Sequence, residues 1–89
     1  MTRVELEKLN KKVKDYEKEC SMVEKFKEER TLYNGQRNPY WRHLENRNEI
    51  LETLLRQLGY TSILLRPHKE DVTYEHTVLM ETLKEMAIL

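Results

Sequence analysis

Two glycines and two prolines are all the backbone punctuation in 89 residues. Gly35 and Gly59 lie too far apart to build a glycine-rich loop that cradles phosphate. A single cysteine, Cys20, rules out an intramolecular disulfide framework and points to a reducing, intracellular setting, cytoplasmic by default. The 16 basic and 16 acidic side chains cancel, so no global field draws the chain to nucleic acid, to a membrane surface or to acidic partners. Long apolar runs are also missing. The longest, Ile63 to Leu65, Val78 to Met80 and Met86 to Leu89, fall far short of the roughly 20 residues that span a bilayer. The opening MTRVELEK lacks the apolar stretch of a secretory signal. A soluble chain with no membrane contact is the expectation.

Catalytic signatures are equally scarce. Ser21 and Ser62 lie outside any G-x-S-x-G setting. The possible metal ligands His43, His68, His76 and Cys20 show no H-E-x-x-H, E-x-x-H or C-x-x-C spacing. No helix N-terminus or local cationic cluster stands beside Cys20 to lower its pKa, so it reads as a small buried hydrophobe. No enzyme, cofactor or metal site is expected.

What is present is a stripe. Leu6, Leu9, Val13, Tyr16, Cys20 and Val23 recur at alternating steps of three and four residues among Lys and Glu. A 3.5-residue repeat keeps one narrow apolar line on one side of a helix, and such a line leaves water only when another helix covers it. Phe26 and Tyr33 fall one position off that register, so the apolar line changes face near residue 24.

The chain divides into three segments of one all-α unit: a long coiled-coil-like helix over 1–33, a hairpin turn and second helix over 34–60, and an extended connector with a C-terminal helix over 61–89. Asn34 and Gly35 suit the end of the first helix. Asn38 and Pro39 suit the start of the second, as cap and first-turn residue. Its apolar face is Trp41, Leu44, Leu51, Leu55 and Leu58, broadened by Ile50 and Leu54. Gly59 then predicts a left-handed ending with Tyr60 folded over Leu55. Pro67 holds the connector extended, and Asp71 or Thr73 can cap a third helix carrying Val72, His76, Leu79, Leu83 and Met86. Asn48 has two readings: a polar residue at the edge of a broad stripe, or a buried Asn that sets a two-stranded register.

Geometry then suggests a partner. A first helix of about 31 residues would be roughly 46 Å long, against roughly 30 Å for the second at 1.5 Å per residue. An antiparallel hairpin would leave Leu6 and Leu9 bare, to be covered by the third helix or by a second chain. Each bare leucine forgoes roughly 1.5 to 3 kcal/mol of burial. The simplest remedy is a homodimer through helix 1, with Leu6, Leu9, Val13, Tyr16, Cys20 and Val23 as the interface. The expected function is a non-enzymatic oligomerisation and protein-interaction module of a scaffold or adaptor, binding another helical protein.

One segment offers an alternative. From Thr31 to Leu44 no acidic residue intervenes, and Tyr33, Arg37, Tyr40, Trp41 and Arg42 alternate rings with cations. Such residues suit either a protein hot spot or base stacking with phosphate contact. The neutral overall charge disfavours the nucleic-acid reading.

Overall fold

The computed structural model describes residues 2–29 and 38–86. It is all-α: α1 spans Arg3–Lys25, α2 spans Pro39–Gln57 and α3 spans Thr73–Glu85. Among the described residues there is no strand.

Helices α1 and α2 begin where their capping chemistry allows. The hydroxyl of Thr2 accepts from the Glu5 backbone N–H at 3.2 Å and donates to the Glu5 carboxylate at 3.1 Å, so α1 opens on a threonine N-cap. At α2, the buried Asn38 side chain accepts from the Tyr40 N–H at 2.9 Å, with Pro39 in the first turn. At α3 the expected cap is not realised: Val72, not Asp71 or Thr73, occupies the N-cap position and offers no side-chain bond, while Asp71 one residue earlier accepts from both the N–H and the hydroxyl of Thr73. These two bonds hold the Asp71 carboxyl below the usual range, because both favour the charged form. The end of α2 is a Schellman turn. Gly59 takes φ +99°, its N–H donates to the Arg56 carbonyl at 3.0 Å, and the Tyr60 N–H donates to the Leu55 carbonyl at 2.9 Å.

The first helix ends earlier than its sequence suggested. α1 stops at Lys25, and a single 3₁₀ turn follows over Lys27–Glu29. Lys27, Glu28 and Glu29 bury nothing, so packing gives no reason to continue the helix. The expected boundary near Tyr33 lies outside the described residues. With 23 residues in α1 and 19 in α2, the mismatch shrinks to about 6 Å at 1.5 Å per residue.

That shortening changes what covers the stripe. Leu9, Val13 and Tyr16 belong to one buried cluster with Leu51, Leu54 and Leu55 of α2, Leu65 and Val72 of the connector, and Leu79 and Leu83 of α3. The hydroxyl of Tyr16 and Nδ1 of His76 lie 2.7 Å apart, which places α3 against α1. A smaller cluster of Val23, Tyr40 and Leu44, flanked by Phe26 and Trp41, closes the other end of the hairpin. The end of α2 reaches Leu9, with Gln57 beside it, and Leu79 and Leu83 of α3 complete the same cluster. The argument for a partner at Leu9 therefore loses its premise, since only 4% of that residue is exposed within the single chain.

An intramolecular cover makes a distinct prediction. Leu9→Ala should cost about 2 to 5 kcal/mol through the cavity it leaves. Its lowered melting temperature should be the same at low and at high protein concentration. A stripe buried between two chains would instead give a melting temperature that rises with concentration.

Candidate functional site

The predicted interface residues are distributed as follows. Leu9, Val13, Tyr16 and Val23 are buried in the chain's own core, while Leu6 and Cys20 are half-buried. Leu9, Val13 and Tyr16, with Cys20 against them, pack in the cluster shared with α2 and α3, Val23 packs in the smaller cluster with Tyr40 and Leu44 of α2, and Leu6 belongs to neither.

In the basic-aromatic segment, Tyr33 and Arg37 lie outside the described residues. Tyr40 is buried and its hydroxyl donates to the Glu70 carboxylate at 2.8 Å. Trp41 is half-buried, edge-on to the Tyr40 ring at 5.0 Å and to the His68 ring at 5.4 Å. Arg42 is exposed. The rings of Tyr40 and Trp41 are thus committed to holding the connector against α2. A platform for stacked bases requires open ring faces.

The densest polar chemistry is the neighbouring pair Arg47 and Asn48, both buried on α2. Nε and a terminal nitrogen of Arg47 donate to Asn48 Oδ1 at 3.0 and 2.9 Å. The same terminal nitrogen reaches the carbonyls of Lys69 at 2.9 Å and Glu70 at 3.2 Å. Asn48 Nδ2 faces the carbonyls of Arg66, Pro67 and Lys69 at 2.9 to 3.0 Å. A turn around Pro67 has surplus acceptors, because proline brings a carbonyl and no N–H. Arg47 and Asn48 supply the missing donors. Lys69, at the clamped turn, pairs with the buried carboxylate of Glu75 on α3 at 2.5 Å.

Asn48 thus settles its two readings as a pin for the connector, with every donor and acceptor used inside the chain. Arg47 was not among the residues singled out by periodicity or motif. Its one hint was adjacency to Asn48 on the face of α2 opposite a Pro-containing connector. Among the described residues no buried side-chain nitrogen or oxygen lacks a partner.

Histidines tie elements together. His43 pairs with Glu19 across α1 and α2 at 2.7 Å and stacks flat on Phe26. His68 pairs with Glu45 at 2.5 Å, and His76 meets Tyr16. No group of three His, Cys, Asp or Glu side chains that could hold a metal occurs among the described residues. Burial pushes the Cys20 thiol up from its ordinary value, away from nucleophilic thiolate. Burial likewise raises the Tyr16 hydroxyl, helped by the neighbouring Cys20 thiol.

The open chemistry lies outside the core. A groove of about 530 Å³ runs between α1 and the end of α2, lined by Glu5, Lys8, Leu9, Lys11, Lys12, Asp15 and Gln57. With Leu9 only 4% exposed, the apolar surface of this groove comes from the lysine stems beneath their charged ends. Lys8, Lys11 and Lys12 enter no ion pair among the described residues.

Two predictions follow from the buried groups. Asn48→Ala leaves the Pro67 carbonyl without a donor and Arg47 Nε without its acceptor, and weakens the hold on the Arg66 and Lys69 carbonyls. Unsatisfied buried groups cost about 1 to 3 kcal/mol each, so the variant should lose on the order of 3 kcal/mol in a denaturant melt. Tyr16, with its folded pKa raised, contributes stability that is fully present below about pH 10, the unfolded value. That contribution is lost as pH rises beyond it, because only the unfolded chain then releases the proton. Tyrosinate absorbance from Tyr16 should therefore appear together with loss of helical circular dichroism, and a Tyr16→Phe variant should unfold at higher pH.

No family model, curated protein or solved structure matches this chain, so the reading of its site rests on the side chains just described.

Proposed function

We propose that the chain is a non-enzymatic, all-helical protein-interaction module of the kind found in scaffolds and adaptors. The observation that supports this reading is the groove between α1 and α2, where Lys8, Lys11 and Lys12, in no ion pair among the described residues, line an open surface with their stems. Charged ends above apolar stems suit selective, moderate-affinity contact between proteins. The buried polar groups, by contrast, are spent on holding the fold. Tyr16, His43, His68 and His76 all sit in contacts between elements, a placement that favours architecture over turnover.

Photocrosslinking tests the proposal. Benzoylphenylalanine at Gln57, on the groove wall, should give a discrete adduct in cells that is protease-sensitive and nuclease-resistant. The same probe at the exposed Thr77 on α3 should not give it. Nuclease-sensitive adducts at Gln57 would replace the proposal with nucleic-acid binding. Absence of any adduct specific to Gln57 would reject it.

A further inference from the structure

The charges around the groove are ordered, and their order specifies a ligand. Along α1 the lining runs Glu5, Lys8, Lys11, Lys12, Asp15: cations in the middle and a carboxylate at each end. From Glu5 to Asp15 is ten residues of helix, or about 15 Å, which matches three turns of a docked helix. The opposite wall contributes Gln57, which is neutral. Nearby Arg56 is already paired with Glu52 at 2.7 Å.

Resting on the interaction-module reading above, we infer that this groove binds a short amphipathic helix with carboxylates at its centre and cations at its ends. Central carboxylates meet Lys8, Lys11 and Lys12, while the flanking cations meet Glu5 and Asp15. An aliphatic side chain between them rests on the lysine stems. The terminal carboxylates also act as a filter. A uniform polyanion laid along the groove brings its outer charges against Glu5 and Asp15, and like-charge juxtaposition of that kind suppresses wrong partners. Nucleic acid, with evenly spaced phosphates, is such a polyanion. The pattern therefore selects for a protein segment.

The test uses the full chain and a 20-residue fluorescein-labelled helical peptide. The peptide carries Leu at steps of three and four, Glu at its central polar positions and Lys at both ends. Fluorescence anisotropy at about 150 mM salt should report saturable binding. The double variant Lys8→Glu, Lys11→Glu should weaken it at least tenfold. Lys14→Glu with Lys84→Glu makes the same change in net charge at exposed positions off the groove, and should leave affinity within twofold. Circular dichroism of both double variants should match the parent. The inference is overturned if the peptide does not saturate, if both double variants weaken binding equally, or if a peptide with Lys at the centre and Glu at the ends binds as well. It is also overturned if a labelled single-stranded oligonucleotide of similar length binds as tightly. A groove-specific protein adduct from Gln57 without peptide binding would sink this inference while leaving the interaction-module reading intact.

Discussion

Two adjacent side chains on α2, Arg47 and Asn48, grip the connector by its carbonyl oxygens, and the placement of α3 depends on that grip. The connector forms no strand, and the lone cysteine makes no disulfide. Its backbone polar groups must still be satisfied where they leave water. Once the carbonyls of Arg66, Pro67, Lys69 and Glu70 are fixed on α2, Leu65 and Val72 are set into the core on either side. Val72 then leads directly into α3, which lays Leu79 and Leu83 over the stripe of α1. A charged guanidinium is tolerated there because its bonds go to aligned carbonyl dipoles and to Asn48 Oδ1, which together stand in for water.

That sequence of constraints explains why the stripe on α1 does not call for a second chain. A heptad-like line states only that something apolar covers it. Here the cover is supplied by α2 and by an α3 of 13 residues held at its start by the clamped turn. The departures from ideal coiled-coil character are consistent with this. Tyr16 uses its hydroxyl to meet His76 on α3, which a d-position residue facing its own copy would have no reason to do. Glu19 meets His43 on α2, so a flank of the stripe also points inward to the same chain.

Much of the fold was legible in the residues, and the pattern of success is physical. Local signals worked at α2, where Asn38-Pro39 opens the helix and Leu58-Gly59-Tyr60 closes it, whereas α3 starts from an uncapping Val72 with Asp71 one residue too early. Both ends of α2 are decided by hydrogen bonds spanning a few residues. The end of α1 was missed because Lys27–Glu29 carry helix-compatible side chains with nothing to bury, and propensity without packing is a weak guide. The clamp was hidden for another reason. Arg47 and Asn48 bond to main-chain carbonyls about twenty residues away, and a carbonyl acceptor leaves no mark in the sequence. The groove was invisible because lysines on α1 look alike until the fold shows which of them share an edge with α2. Aromatic rings near residue 40 looked available for a ligand, yet Tyr40 and Trp41 are used to seat the connector.

The most direct measurement is isotope-filtered NMR on an equimolar mixture of labelled and unlabelled chains. If the connector clamp lets α3 cover α1 within one chain, contacts between the methyl groups of Leu9 and Val13 and those of Leu79 and Leu83 arise only inside a single isotopic species. They vanish from the spectrum filtered for contacts between chains. Strong filtered contacts between these methyl groups of different chains would contradict this, and would return the stripe to the interface of a dimer.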